Sequence, residues 1–191
     1  MIVERLAGAA VEAALDDLAR LRVEVFRAFP YLYDGDPENE ADYLRSYRHN
    51  PRAVLVVARD GADVVGAATA MPLVDHEDAA QLTGPLPEAD QILYCAESVL
   101  LPAYRGRGLG HAFFDHREAA GRDLGLRYAV FCAVVRPTAH PLRPPEYRPL
   151  EGFWRKRGYA PIPGACATFH WTDVGDTRKS AHTLQAWMRD L

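Results

Sequence analysis

The sequence predicts a mixed α/β (α+β) fold with helices on both faces of a central sheet. Three observations carry that prediction. A helical period of apolar residues runs from about Ala10 to Phe29, and a hairpin pattern is centred on Asp60-Gly61. Two near-continuous apolar runs, Ile92 to Leu101 and Tyr128 to Val135, are separated by a glycine-rich loop and a second helical period. The 191 residues fit one domain, 1–191, with a sizeable core and little room for a second.

In the first helix Val11, Leu15, Leu18, Val25 and Phe29 share one face, Arg22 is the only charged residue on that line, and Pro30 ends it. The stretch Tyr31-Leu32-Tyr33-Asp34-Gly35-Asp36-Pro37 is aromatic and turn-rich, and an exposed loop is expected there. Tyr43, Leu44 and Tyr47 mark a short second helix that stops near Asn50-Pro51. Ala53 to Arg59 reads as a strand, Asp60-Gly61 as a tight turn, and Asp63 to Met71 as the returning strand. Gly84-Pro85 and Pro87 make the segment from about Asp75 to Asp90 an irregular excursion with at most one helical turn.

Ile92 to Leu101 is the next strand, apolar except for Glu97. A helix from about Gly108 to Asp123 turns Leu109, Ala112, Phe113, His116, Ala120 and Leu124 inward and stops at Gly125. Tyr128 to Val135 has the unbroken apolar character of a strand in the middle of a sheet. Pro137, Pro141, Pro144, Pro145 and Pro149 enclose an irregular loop. A short helix covers about Leu150 to Arg157 and closes at Gly158; Ala167 to Trp171 is the last strand and Ala181 to Met188 the last helix.

The formal net charge of −4 argues against a nucleic-acid partner, which calls for a basic face. Hydrophobic content of 49% and charged content of 25% are ordinary for a globular protein, and no apolar run approaches the roughly 18 residues of a membrane helix. Cys95, Cys132 and Cys166 have no metal-ligand spacing, and the first two lie in apolar runs, as reduced, buried cysteines do. No basic-then-apolar leader opens the chain, so a cytoplasmic location, with no membrane partner, is expected. His140, His111 and His116 form no metal-site pattern, and no metal is expected.

The segment Tyr104-Arg105-Gly106-Arg107-Gly108-Leu109-Gly110-His111 follows a strand and opens a helix. Glycine lets the backbone turn sharply and approach a ligand closely, and the first amides of a helix form an anion site reinforced by the helix dipole. A Walker loop requires Gly-Lys followed by Ser or Thr, and no lysine is present. The dinucleotide fingerprint fails because His111 stands where its third glycine belongs. The pattern of Arg or Gln, two residues, Gly, one residue, Gly or Ala is matched by Arg105, Gly108 and Gly110.

On these residues, and on the lead-in Leu101-Pro102-Ala103-Tyr104-Arg105-Gly106, the chain resembles the GNAT superfamily of N-acetyltransferases. The stretch Glu97 to Gly110 looks like that family's fourth strand and pyrophosphate loop. The resemblance implies a mostly antiparallel sheet splayed between its fourth and fifth strands, with acetyl-CoA or another acyl-CoA as co-substrate. It implies that main-chain groups of Val99, Leu100 and Leu101 bond the pantetheine arm. Amides of Gly106, Arg107, Gly108, Leu109, Gly110 and His111 would hold the pyrophosphate, with Arg105 and Arg107 as additional charge partners.

Amide formation from a thioester needs a proton acceptor for the amine, and a primary amine with a pKa of about 10 is mostly protonated at neutral pH. Glu97 is the first candidate base, since a lone carboxylate in an apolar strand is costly without a task or a partner; a structural carboxylate bonded to an arginine is the other reading. Asp34 and Glu146 are weaker alternatives. Relatives carry a tyrosine near the cofactor sulfur in a helix of the form Phe-Tyr-x-x-x-Gly-Phe, whereas here Trp154 takes that place in Phe153-Trp154-Arg155-Lys156-Arg157-Gly158-Tyr159. Tyr147 is then the nearest candidate acid. Tyr31, Tyr33, Asp34 and Trp154 are candidates to line the site of a small-molecule amine, and aromatic rings with carboxylates suit a cation. The expected activity is acyl transfer to a primary amine by direct attack in a ternary complex. A non-catalytic acyl-CoA-binding module and an unrelated phosphate-binding α/β protein are the competing readings. Trp171 and Trp187, near the end of the chain, suggest a subunit contact and a homodimer.

Overall fold

A computed structural model of the protein describes residues 1–36, 40 and 43–191. The expected turn at Pro37 lies outside them. Nine strands are present among the described residues: β1 (Ile2–Leu6), β2 (Val54–Asp60), β3 (Asp63–Pro72), β4 (Leu82–Thr83), β5 (Ile92–Tyr94), β6 (Ser98–Leu100), β7 (Tyr128–Val134), β8 (Ala160–Thr172) and β9 (Lys179–Asp190). Four α-helices are seen among the described residues: α1 (Ala9–Phe26), α2 (Arg45–His49), α3 (Leu109–Asp123) and α4 (Glu151–Lys156). The strands form one sheet in the order β1-β2-β3-β5-β7-β9-β8-β4, with β6 also on β3. Every pairing is antiparallel except β5 with β7.

The hairpin forms as its sequence dictates. Asp60 pairs with Asp63, and Gly61 takes the left-handed φ of +62° that the tight turn needs. The strands it joins are hydrophobic throughout because both faces are covered. Val54, Val56, Ala58, Ala68 and Ala70 pack with Leu109, Phe113 and Phe114 of α3, while Leu55, Val57, Ala67 and Met71 pack with Leu15, Leu18 and Leu21 of α1. The C-terminal half of the sheet continues the α1 side with a cluster that includes Ile92, Tyr94, Val130 and Cys132.

Several expectations change. Residues 181–188 belong to β9, not to a helix: Val130↔Met188, Phe131↔Trp187 and Cys132↔Ala186 pair across to β7, and His182, Leu184 and Ala186 are buried at period two. Both sides of β9 are occupied by strands, so the tertiary setting overrides a composition that fits either state. Trp171 and Trp187 are buried within their own chain, which removes the basis for placing them at a subunit contact. Ile2–Leu6, not assigned from sequence, pairs with β2, and Ala160–Thr172 makes a longer strand than expected, irregular between Pro161 and Cys166. The excursion after β3 contains short 3-10 turns at Leu73–Asp75, Glu77–Gln81 and Ala89–Gln91, besides β4.

The stretch from Tyr31 is not a free loop. Leu32 is buried, Tyr33 bridges to Asp173, and Asp34 N donates to Thr172 O at 2.9 Å. Arg136 ties it down, with Nη2 donating to Tyr31 O at 2.7 Å and the guanidinium forked on Asp173 at 2.8 Å. The inward face of α3 is also rotated from the expected stripe: Phe113, Phe114, Arg117, Glu118 and Gly121 are buried, and His116 is only half-buried. No helix among the described residues is long and apolar enough to cross a membrane.

Candidate active site

Gly108, at φ +82°, caps the N-terminus of α3, and Gly106 lies at φ +75°. A Cβ added at either would meet nothing within 4 Å, so no other part of the described chain covers the loop at these two positions. Among the described residues the amides of Gly106 to Gly110 make no main-chain hydrogen bond, leaving a run of donors at the positive end of a helix dipole. His111 differs from expectation, because its amide already donates to Gly108 O at 2.9 Å. Leu109 buries its side chain in the core and offers the loop only its main chain. Arg105 Nε donates to Leu100 O at 3.1 Å and Arg107 Nη2 to Ala103 O at 3.0 Å; both side chains are exposed beside the loop.

The strand leading into the loop splits the sheet. Its first part, β5, pairs with β7 up to Tyr94↔Val130, and Cys95 N makes the last bond, to Val130 O at 2.8 Å. Beyond that point β6 stays on β3 while β7 continues on β9, so the two strands part. The register of β3 against β5 and β6 advances by one residue across Cys95-Ala96-Glu97, which is a β-bulge. Arg117, reaching across from α3, donates through Nη1 to Glu97 O at 3.0 Å and Thr69 O at 3.3 Å and so holds the bulge.

Alternation along β6 corrects the expected docking groups. Glu97 O accepts from Thr69 N and Leu101 N donates to Val65 O, so the main-chain groups of Glu97, Val99 and Leu101 face β3. Those of Ser98 and Leu100 face the split, and the carbonyl of Leu100 is shared with Arg105.

The bulge also re-aims Glu97. Leu93 and Cys95 lie on the α3 side of the sheet, whereas Tyr94 and Val99 lie on the α1 side, and the extra residue puts Glu97 with the latter. There it is 3% exposed. Arg22 Nη1 bonds one carboxylate oxygen and Thr69 Oγ1 the other, while Arg22 Nε bonds Glu40. Burial disfavours the Arg22 cation, but Glu97, Tyr43 and Glu40 outweigh this and raise its pKa.

Around this ion cluster the α1 side gathers groups that the sequence reading missed. Tyr43 lies under the Arg22 guanidinium at 4.3 Å from its ring centre. Tyr47 Oη is 2.8 Å from His76 Nε2, and Asp78 N donates to His76 Nδ1 at 3.0 Å. Nδ1 is therefore unprotonated and the ring neutral, consistent with burial lowering its pKa. Burial, then Glu97 and Glu77, push the Asp78 carboxyl up to about 7 against Arg22 and Tyr94. Cys132, pushed up to about 12 by burial and then Asp78, is a thiol and not a nucleophile. The one signal for this cluster in the sequence is Arg22, alone on an apolar helix face; nothing in the pattern of residues 75–90 marks Asp78.

The other predicted residues divide. Tyr31 packs on Phe26 with ring centres 4.4 Å apart, and Tyr33 is coupled to Glu40; burial raises the pKa of both phenols, with Glu40 adding to that of Tyr33. Asp34 is exposed and paired with Arg27, and Glu146 is exposed. Tyr147 stands edge-on to Phe29 at 4.7 Å, in the proline-rich loop. Trp154 lies on the opposite side of the sheet from Tyr31, packed between Phe131 at 5.0 Å and Trp187 at 5.2 Å; it is a packing residue and not a wall shared with Tyr31 and Tyr33. A shallow surface hollow bordered by Ser46, His49, Asn50, Pro51, Arg52 and Asp75 contains none of these groups. No set of three or more His, Cys, Asp or Glu among the described residues is arranged to hold a metal.

The family model of the acetyltransferase (GNAT) family matches residues 9–143. The solved ribosomal-protein-alanine N-acetyltransferase of Brucella melitensis aligns over 100% of both chains with a TM-score of 0.62 at 16% identity. An aminoglycoside 6'-N-acetyltransferase complexed with coenzyme A aligns over 100% of this chain and 97% of its own, with a TM-score of 0.58 at 16% identity. A Salmonella typhimurium protein solved with its cofactor acetyl-CoA aligns over 100% of this chain and 95% of its own, with a TM-score of 0.62 at 12% identity. Identities this low establish shared fold, and no curated protein matches the sequence. The matched segment runs from α1 through the split and the glycine loop into the proline-rich loop, and by it the chain belongs to the GNAT acetyltransferase family.

Proposed function

We propose that the protein is an acyl-CoA-dependent N-acetyltransferase that moves an acetyl or other short acyl group to a primary amine of a small-molecule acceptor. One observation carries this reading: the open glycine loop capping α3 stands on the strand that leaves the sheet at the split. An anion site and a strand edge with free main-chain groups are what a pyrophosphate joined to an amide-bearing arm requires. Gly106 to Gly110 would hold the pyrophosphate, with Arg105 and Arg107 alongside, and Ser98 and Leu100 would bond the arm. Acyl-CoA supplies the activated thioester. The acceptor enters from the α1 side, where Tyr31 and Tyr33 lie over the buried ion cluster, and attacks directly in a ternary complex.

The indole N–H of Trp154 is far too weak an acid to protonate a thiolate, and Tyr147 sits in the proline-rich loop against Phe29. Its phenol is raised by burial and stays protonated at neutral pH, which leaves it a donor of last resort. The thiolate is best served by the proton that the amine nitrogen sheds when the amide forms. The lack of a tyrosine at position 154 also favours a second reading, a non-catalytic acyl-CoA sensor.

Calorimetric titration with acetyl-CoA and with CoA tests the first half. Binding should occur in the natural chain and be lost in Gly108→Trp, where a bulky side chain fills the loop. A primary-amine library screened for thiol release tests the second half. Binding without release by any amine would leave the sensor reading, and absence of binding would remove both.

A further inference from the structure

Each oxygen of Glu97 already accepts a hydrogen bond, one from Arg22 and one from Thr69, and the side chain is nearly closed to solvent. The carboxylate next to it is differently placed. Asp78 lies in the excursion between β3 and β5 with its side chain 12% exposed, against 2% for Glu97. Tyr94, the last residue of β5 paired to β7, is near enough to favour its charged form, and Tyr43 Oη lies 3.5 Å from its Oδ2. Cys132, on β7 just past that last pair, is also close enough to feel its charge.

Charge in this cluster is unbalanced. Among the described residues, the Arg22 guanidinium is shared between Glu40 and Glu97, and Asp78 feels its charge without pairing with it. Among the described residues, a cation arriving at Asp78 would find a carboxylate whose basic neighbour, His76 Nδ1 at 3.6 Å, is uncharged, with the Tyr43 phenol beside it. The neighbouring groups do not compete for that role. His76 is neutral, and burial keeps Tyr43, Tyr47, Tyr94 and Cys132 protonated.

We propose that Asp78 is the acceptor-site carboxylate, pairing with the ammonium form of a primary amine beside Tyr43 and Tyr94 and receiving the proton that frees its nitrogen. The assignment rests on the acetyltransferase reading and makes the acceptor a cationic alkyl amine. The ammonium gives one proton to the Asp78 carboxylate, and the freed lone pair forms the N–C bond at the thioester carbonyl. The C–S bond breaks with its electron pair on sulfur, the nitrogen loses its second proton to that thiolate, and Asp78 returns its proton to solvent. A carboxyl near 7 is about half ionised at neutral pH, where a general base is most effective. A bound ammonium favours the carboxylate and lowers this value.

The first measurement is a carbon-13 titration of the Asp78 carboxyl, assigned by its loss in Asp78→Asn. It should titrate near 7, and n-butylamine, but not n-butanol, should move the midpoint down. Thiol release from acetyl-CoA with n-butylamine should rise with pH through about 7, and Asp78→Asn should lower kcat/KM by roughly a hundredfold and abolish that limb, with Asp78→Glu restoring part of it. Asp78→Asn should bind acetyl-CoA as the natural chain does. An Asp78 carboxyl that ignores n-butylamine, or an Asp78→Asn variant that keeps its rate and its acid limb, overturns the assignment while leaving the acetyltransferase reading intact. Failure of the natural chain to bind acetyl-CoA removes that reading instead.

Discussion

Glu97 shows how a residue visible in the sequence takes its role from its neighbours. A carboxylate alone in an apolar strand has two physical outcomes, a task or a partner, and here Arg22 and Thr69 are its partners. Arg22 was equally conspicuous, as the one charge on the buried line of α1, and the two anomalies explain each other. Their contact spans 75 positions in sequence, and a single sequence contains nothing that pairs them. Glu97→Gln should therefore behave as a structural and electrostatic change. Arg22 retains Glu40, so the loss should be about 1–3 kcal/mol, that of a charged hydrogen bond, and below the ~3–5 kcal/mol of a fully orphaned ion. A urea midpoint measures this. Because the Glu97 charge raises the Asp78 carboxyl, its removal should shift the acid limb of the rate profile to lower pH without abolishing it. Disappearance of the limb in Glu97→Gln would return the role of base to Glu97.

At the scale of elements, legibility followed the locality of the signal. The β2–β3 hairpin, α1, and the strand–loop–helix leading into α3 are specified by neighbours within a few residues, and their boundaries emerge within a few residues of expectation. β9 was misread because whether Leu184, Ala186 and Trp187 face a helix groove or two flanking strands is decided by β7 and β8, not by the segment itself. The bulge at Cys95-Ala96-Glu97 was equally hidden, although Glu97 marked its position, and with it went the knowledge of which β6 groups face the split. The excursion that carries Asp78 is seated through β4 on β8, where Gly84 takes φ +101° against Gly164 and Ala165. A Cβ there would lie 2.7 Å from Ala165 Cα, besides demanding a backbone conformation that L side chains avoid. Gly84→Ala should cost at least roughly 1–3 kcal/mol and unseat the excursion. Its effect should be local: faster amide exchange at Leu82 and Thr83, a raised KM for the amine, and unchanged binding of acetyl-CoA. Unchanged exchange and amine KM would show that the seat does not govern Asp78.

Across the whole molecule, the sheet separates two kinds of chemistry. The α3 side presents an open anion cradle, while the α1 side holds the tyrosines, His76 and the carboxylates around Arg22, and the split between β6 and β7 is where the two sides meet. This division has a thermodynamic consequence for the order in which ligands act. The cradle donors are already exposed and aligned, so acyl-CoA needs no acceptor in place to bind, and binding should stabilise the native chain by mass action. At a hundredfold its Kd, acetyl-CoA should add about 2.7 kcal/mol, which for a chain of this size raises Tm by roughly 5–11 °C. n-Butylamine should leave that increment intact in Asp78→Asn, because its proposed site lies on the other side of the split. Gly108→Trp should show no increment at all, even if its own Tm is lowered by a side chain at φ +82°. A normal acetyl-CoA shift in Gly108→Trp would place the cofactor somewhere other than the cradle, and the split would then need a different occupant.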